Sequence, residues 1–131
     1  MIACFFEPRH RVLMVRIDGV FGSDELRQLD DAVTRIVARE GAISSIYDFT
    51  DLQAVAVPAV RTAQRAHQPT VVEGLRVVVA SRTLAGDALR DFSAQQGAAG
   101  MRAMIVVDRL EAAYARLGLD YQATFAPVEL G

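Results

Sequence analysis

Apolar and polar positions change their rhythm several times along the chain, and each change marks an element. Residues 2–7 and 11–18 are apolar, β-prone runs separated by Pro8-Arg9-His10. They predict an antiparallel pair joined by a tight loop, with Gly19 and Gly22 at its exit. From Ser23 the period lengthens to that of a helix. Leu26, Leu29, Val33, Ile36 and Val37 fall on one stripe, Ser23 takes the N-cap position, Asp24 and Glu25 occupy the first turn, and Gly41 closes the end. Residues 43–49 predict the next strand. Pro58 suits the first turn of a second, short helix reaching about Ala66, because its missing N–H would be unpaired there.

Residues 69–74 punctuate, and 75–80 read as a continuous apolar strand of the kind covered on both faces. Leu84, Ala85, Ala88, Leu89 and Phe92 make a third helical stripe that ends at 97–100. Residues 101–107 predict another buried strand. Asp108 with Glu111 forms a capping-box pattern ahead of Leu110, Ala113, Tyr114 and Leu117, and Gly118 follows. In the tail, Leu119, Tyr121, Ala123 and Phe125 alternate, which predicts an edge strand or an arm packed on a neighbour. The predicted order is β-β-α-β-α-β-α-β-α. Alternating strands and helices require right-handed crossovers, hence an α/β fold whose mixed sheet is parallel apart from the first hairpin. No linker, repeat or low-complexity tract divides it, so 131 residues predict one domain, with a core over 11–119 and a tail over 120–131.

Composition narrows the chemistry. Hydrophobic residues make up 52% and charged ones 23%, with a formal net charge of −2, so nothing marks a nucleic-acid or anionic-membrane surface. No run approaches the ~20 apolar residues of a membrane span, and the N-terminus has no signal-peptide core. Cys4 is the one cysteine, so a reducing cytoplasm is the expected compartment. All 14 Lys+Arg positions are arginine. The absence of lysine excludes a Schiff-base lysine, a P-loop lysine and a lysine-dependent phosphoacceptor site.

Candidate sites each admit two readings. Asp18, Asp48, Ser81 and Asp108 end predicted strands, with Asp51 just beyond Asp48. Open α/β sheets bind ligands at that edge, so the acids suggest a divalent-cation or phosphoryl site; caps and turns explain them as well. Arg61 and Arg65 share a helix face with Gln64 and His67 near, which suits an acidic partner or plain solvation. Ser81-Arg82-Thr83 opens the third helix as a phosphate cradle or as a cap. Cys4 with His10 or His67 lacks zinc spacing, so no metal and no cofactor are expected, and Cys4 reads as a small core residue. No nucleophile–base motif is present, so no catalytic residue is assigned. Phe21, flanked by Gly19 and Gly22, marks a ligand mouth, a dimer contact, or a ring buried on the sheet.

Three segments carry a family resemblance: Asp18-Gly19 with the helix from Ser23; Tyr47-Asp48-Phe49-Thr50-Asp51-Leu52; and Val77-Val78-Val79-Ala80 followed by Ile105-Val106-Val107-Asp108 with Glu111, Ala112 and Leu117. Over residues 11–119 the chain resembles the STAS-like domains, the anti-sigma-factor-antagonist fold, in the bacterial branch related also to CRAL-TRIO lipid-binding domains. Regulatory members carry a phosphorylatable hydroxyl where the helix after the Asp-ended strand begins. Here Ala56, Val57 and Pro58 stand there, and only Thr50 and Thr62 lie near. The turn after the middle strand is therefore expected to lack that hydroxyl. The resemblance implies a non-enzymatic module acting by protein contact through Asp48, Thr50, Asp51, Val57 and Pro58 with Arg61 and Arg65, and the apolar tail and high apolar content lead to the expectation of a homodimer. A second implication is a carrier or sensor of an apolar small molecule, which predicts an apolar cavity near Phe21, Phe49 and Val57. Apart from the resemblance, the strand-end acids leave a third reading, an acidic-site enzyme, which needs Asp48, Asp51 and Asp108 to converge.

Overall fold

The computed structural model describes residues 1–68, 70–81, 84–120 and 122–129, without the side chains of residues 84 and 85. The first hairpin pairs β1 (Ile2–Glu7) with β2 (Val12–Ile17) antiparallel, from Ile2 opposite Ile17 to Glu7 opposite Val12. Its loop is organised by the buried Glu7 carboxylate, which accepts the backbone N–H of Arg9 at 3.0 Å and of His10 at 2.7 Å. The His10 ring nitrogen Nδ1 lies 3.0 Å from the same carboxylate.

The elements that follow are β3 (Gly19–Phe21), α1 (Ser23–Glu40), β4 (Ser44–Asp48), β5 (Leu52–Val55), α2 (Ala59–Ala66), β6 (Arg76–Val79), α3 (Leu84–Ala98), β7 (Ile105–Val107), α4 (Leu110–Leu117) and β8 (Ala126–Val128). Six strands form one sheet in the order β7-β6-β4-β2-β1-β8, and β3 with β5 forms a two-stranded ribbon. The pairs β2–β4, β4–β6, β6–β7 and β3–β5 are parallel, while β1 is antiparallel to both β2 and β8. The predicted α/β architecture, a mixed and mostly parallel sheet with an antiparallel N-terminal pair and helices packed on it, is the one observed.

Three short strands add to the predicted order. β3 and β5 are too short to leave a periodic signal; they exist because Gly19, at φ +74°, turns the chain out of β2 toward the segment after β4. β8 lies at the end of the tail and pairs with β1 of its own chain, and Phe125 packs on Tyr114 at a centroid distance of 6.0 Å. The tail is thus an intramolecular edge; Tyr121 is outside the described residues. The sheet also extends beyond 11–119, since β1 and β8 both lie outside those bounds.

Several local expectations change. Gly22, not Ser23, is the N-cap of α1, and its N–H donates to Glu25 Oε2 at 3.2 Å. Pro58 is the N-cap of α2 rather than a first-turn residue, and its carbonyl accepts the N–H groups of Arg61 and Thr62, each at 3.0 Å. The α4 cap is Arg109, so Asp108 and Glu111 form no box. β7 begins only at Ile105 and is a half-buried edge strand, because just one neighbour, β6, pairs with it. Gly41 and Gly118 close α1 and α4 with positive φ, as the sequence predicts.

The central strands alternate their side chains between two cores. Leu13, Val15, Ile17, Tyr47, Val78 and Ala80 face one side with Leu26, Leu29, Val33 and Ile36 of α1 and Leu89 of α3. Val12, Met14, Ile46, Val77 and Val79 face the other, under Ala113, Leu110, Tyr114 and Leu117 of α4. Cys4 belongs to the first core, and burial raises its thiol from the ordinary 9.0 to about 11.

Two predictions follow from this packing. A Cβ at Gly74 would stand 2.6 Å from the Ile43 carbonyl and 3.0 Å from Ser44 Cα, where the loop before β6 crosses the start of β4. Gly74→Ala should therefore cost about 1–3 kcal/mol, read as a lowered urea midpoint. The raised Cys4 value means that the unfolded chain loses its thiol proton first. The stability from the neutral buried thiol is complete below about pH 9 and is lost as pH rises toward about 11. Urea titrations across that window should show wild type losing stability relative to Cys4→Ala.

Candidate functional site

The three helices after β2, β4 and β6 all lie on one face of the sheet, and between them and the strands is a cavity of about 300 Å³. Its apolar walls come from Leu26, Leu29 and Val33 of α1 and from Ala88, Leu89 and Phe92 of α3. One end is closed by Phe21, Phe49, Val55 and Val57. Phe21 and Phe49 meet edge to face, with centroids 5.4 Å apart and planes at 64°. The β3–β5 ribbon holds this end together, with Gly19 N–H bonded to the Asp51 carbonyl at 3.3 Å and Ala56 N–H to the Phe21 carbonyl at 2.8 Å. The other end is formed by Val72, Met104, Gln96 and Arg76.

Polar side chains also line the cavity, among them Asp30, Thr34, Tyr47, Thr62, Arg65, Gln68, Thr70, Arg76 and Gln96, and several are engaged with one another or with the backbone. Arg65 of α2 forks onto Asp30 of α1, with Nη1 2.6 Å from Oδ2 and Nη2 on Oδ1, so it ties the short helix to the long one. Gln96 Oε1 accepts the Met104 N–H at 3.3 Å. Burial pushes the Tyr47 hydroxyl up, against smaller downward pulls from Ser45, Arg76 and Arg65. Arg76 is almost fully buried, and desolvation lowers its guanidinium. Its Nη2 donates to the Arg102 carbonyl. Arg102 in turn fixes the loop before β6, donating to the carbonyls of Val72 and Glu73 and to Thr70 Oγ1.

The site residues expected from sequence divide between this cavity and other places. Phe21, Val57 and Arg65 line it. Phe21 is buried, as one of its readings expected, and it lines the cavity. Arg65 is not part of a free basic face, because Asp30 matches its charge; Arg61 is exposed one turn away. Asp51 and Pro58 are exposed outside the cavity.

Asp48 points to the opposite face. There it is only 5% exposed, accepts the Thr50 N–H at 3.1 Å and the Thr50 hydroxyl at 2.5 Å, and pairs with Arg16 Nε at 3.4 Å. Arg16 also lies over the Phe5 ring, 5.8 Å from its centroid. Thr50 is exposed directly after β4. That turn therefore does carry a hydroxyl, contrary to expectation, whereas the start of α2 at Pro58, Ala59 and Val60 carries none. Thr62 is half-buried, and its hydroxyl donates to the Pro58 carbonyl at 3.2 Å.

The strand-end acids share one sheet edge without converging. Asp18 pairs with the Met1 amino group at 3.2 Å, Asp108 with Arg109 at 4.0 Å, and Asp48 with Arg16. Among the described residues no group of three or more His, Cys, Asp or Glu side chains is placed to hold a metal ion, so Asp48, Asp51 and Asp108 form no such centre. The Ser81-Arg82-Thr83 cradle falls partly outside the described residues, at Arg82 and Thr83.

Sequence reasoning missed Tyr47, Gln96 and Arg76 as cavity residues. Arg76 carried a signal, being a charge at an inward position of a strand buried on both faces.

No protein-family model matches the chain, and no curated protein matches it. No helix among the described residues is long and apolar enough to cross a membrane.

The Arg65–Asp30 pair is about one-third exposed on each side, which limits its strength. A double-mutant cycle with Arg65→Ala and Asp30→Ala should give a coupling of about 0.2–1 kcal/mol in urea unfolding. Amide exchange in α2 should speed up in both single variants.

Proposed function

We propose that this protein binds an apolar small molecule in the cavity under α1, α2 and α3, as a carrier or sensor. The observation that carries the reading is the cavity itself. Its volume of about 300 Å³ lies at the lower bound of small-molecule sites, about 300–1,000 Å³. Phe21, Phe49 and Val57, the residues around which an apolar pocket was expected, all line it. The pocket opens to solvent past Thr34, Gln68 and Val71, and an apolar occupant would cover the apolar walls of α1 and α3. The STAS-like resemblance, with its tie to lipid-binding relatives, agrees with this reading and is part of the proposal.

Protein contact is the second reading, favoured by the exposure of Thr50, Asp51, Gln53, Ala54, Ala56 and Pro58 along one rim. The two readings make different demands on the purified chain. Native mass spectrometry of protein taken from cells should show a bound small molecule that organic solvent extracts. Ala88→Phe, which fills the cavity from the α3 wall, should fold and lose that species. A wild-type spectrum holding only the bare chain would leave the cavity reading without support and favour the rim.

A further inference from the structure

Arg76 opens β6 at the amino end of the cavity, on the face shared by Tyr47, and is only 8% exposed. Among the described residues its guanidinium makes one hydrogen bond, through Nη2 to the Arg102 carbonyl. The buried Nε meets no acceptor among the described residues. The charges that act on it are Arg102 and Arg65, both cations, besides the Tyr47 hydroxyl. Neither cation is available to a ligand on equal terms. Asp30 matches the charge of Arg65, and the Arg102 guanidinium is spread over two carbonyls and a hydroxyl. What remains is one positive charge with no anion and one partnerless N–H among the described residues, at the edge of a pocket with apolar walls. Buried cations are unfavourable until an anion and a hydrogen-bond acceptor reach them, and a carboxylate supplies both to a guanidinium.

The geometry points to a medium-chain carboxylate as the ligand, its carboxylate meeting the Arg76 guanidinium and its hydrocarbon chain running to Phe21 and Phe49. This assignment rests on the cavity-binding reading and specifies its ligand. The charge count favours a monoanion over a phosphate dianion, since a single guanidinium is unmatched. The length also fits. Ser45 stands opposite Arg76 and Asp48 opposite Val79, so Phe49 lies level with Ala80. Four residues of strand at a rise of about 3.3 Å separate the charged end from the aromatic end by about 13 Å. Between them the walls are Leu29, Val33, Leu89 and Phe92, with no second charge unmatched among the described residues.

The test uses the full chain, stripped of co-purified material, and three probes read by calorimetry below any micelle threshold: dodecanoate, dodecanol and acetate. Wild type should bind dodecanoate about ten- to a hundredfold tighter than dodecanol, the span expected for one hydrogen bond to a charged group, and acetate far more weakly than either. Arg76→Met, which replaces the guanidinium by an apolar side chain, should bring the two long-chain affinities together while leaving dodecanol binding in place. Retained dodecanol binding also certifies that the variant is folded. Should Arg76→Met not fold, the wild-type contrast between dodecanoate and dodecanol still decides. Equal binding of those two probes by wild type overturns the carboxylate assignment and leaves the cavity reading standing. Binding of neither overturns both. Acetate binding as tightly as dodecanoate overturns the role of the chain.

Discussion

The direction in which the sheet grows governs the rest of this structure. From β2 the chain steps to β4, β6 and β7, always toward the same edge. Parallel strands are joined by right-handed crossovers, so α1, α2 and α3 are forced onto one face. The three helices are unequal, with 18, 8 and 15 residues. At about 1.5 Å per residue, α2 is roughly 12 Å long against about 27 Å for α1. It buries only Ala66 and is tied to α1 through Arg65 and Asp30. A short helix in the middle position does not fill the space between two longer ones. The cavity is the consequence of topology combined with one brief element.

Most of that topology was legible in the sequence because it depends on periodicity. The stripe Leu26, Leu29, Val33 and Ile36 needs a helix to become one face, and Val77, Val78 and Val79 need a strand covered on both sides. What was not legible depends on contacts far apart in sequence. β3 and β5 have three and four residues and are defined by each other, across the whole of α1 and β4. β8 exists because β1 offers an open edge. The Asp108 cap failed for a related reason. Its sequence pattern is sound, but the helix begins one residue later, and capping geometry does not survive that shift.

The candidate site was legible at one end only. Phe21, Phe49 and Val57 are bulky apolar residues near turns, and a pocket at the strand ends follows from that. Arg65 was singled out as part of a basic surface, but Asp30, 35 residues earlier on another helix, converts it into a brace. Arg76 was absorbed into an apolar run. A hydropathy pattern averages over one arginine among valines, yet the structure gives that arginine an inward rung and almost no solvent. The residue that breaks the pattern is the one whose chemistry is incomplete.

The two faces of the sheet also differ in how they treat polar groups. On the α4 side, Asp48 is slightly more buried than Arg76, but it is met locally by Arg16 and by the amide and hydroxyl of Thr50. Such a cluster fixes the end of β4 and asks nothing of a ligand. On the cavity side, Arg76 has, among the described residues, one carbonyl from Arg102, no anion and no acceptor at Nε. Buried polar groups in proteins are ordinarily satisfied, and the two exceptions among the described residues, Arg76 Nε and Ser45 Oγ, stand opposite each other on β6 and β4. The strand-end aspartates, which fit a familiar pattern of α/β sites, are accounted for by partners of their own. The charge without an anion among the described residues lies at the opposite, amino end of the strands, under the crossover helices.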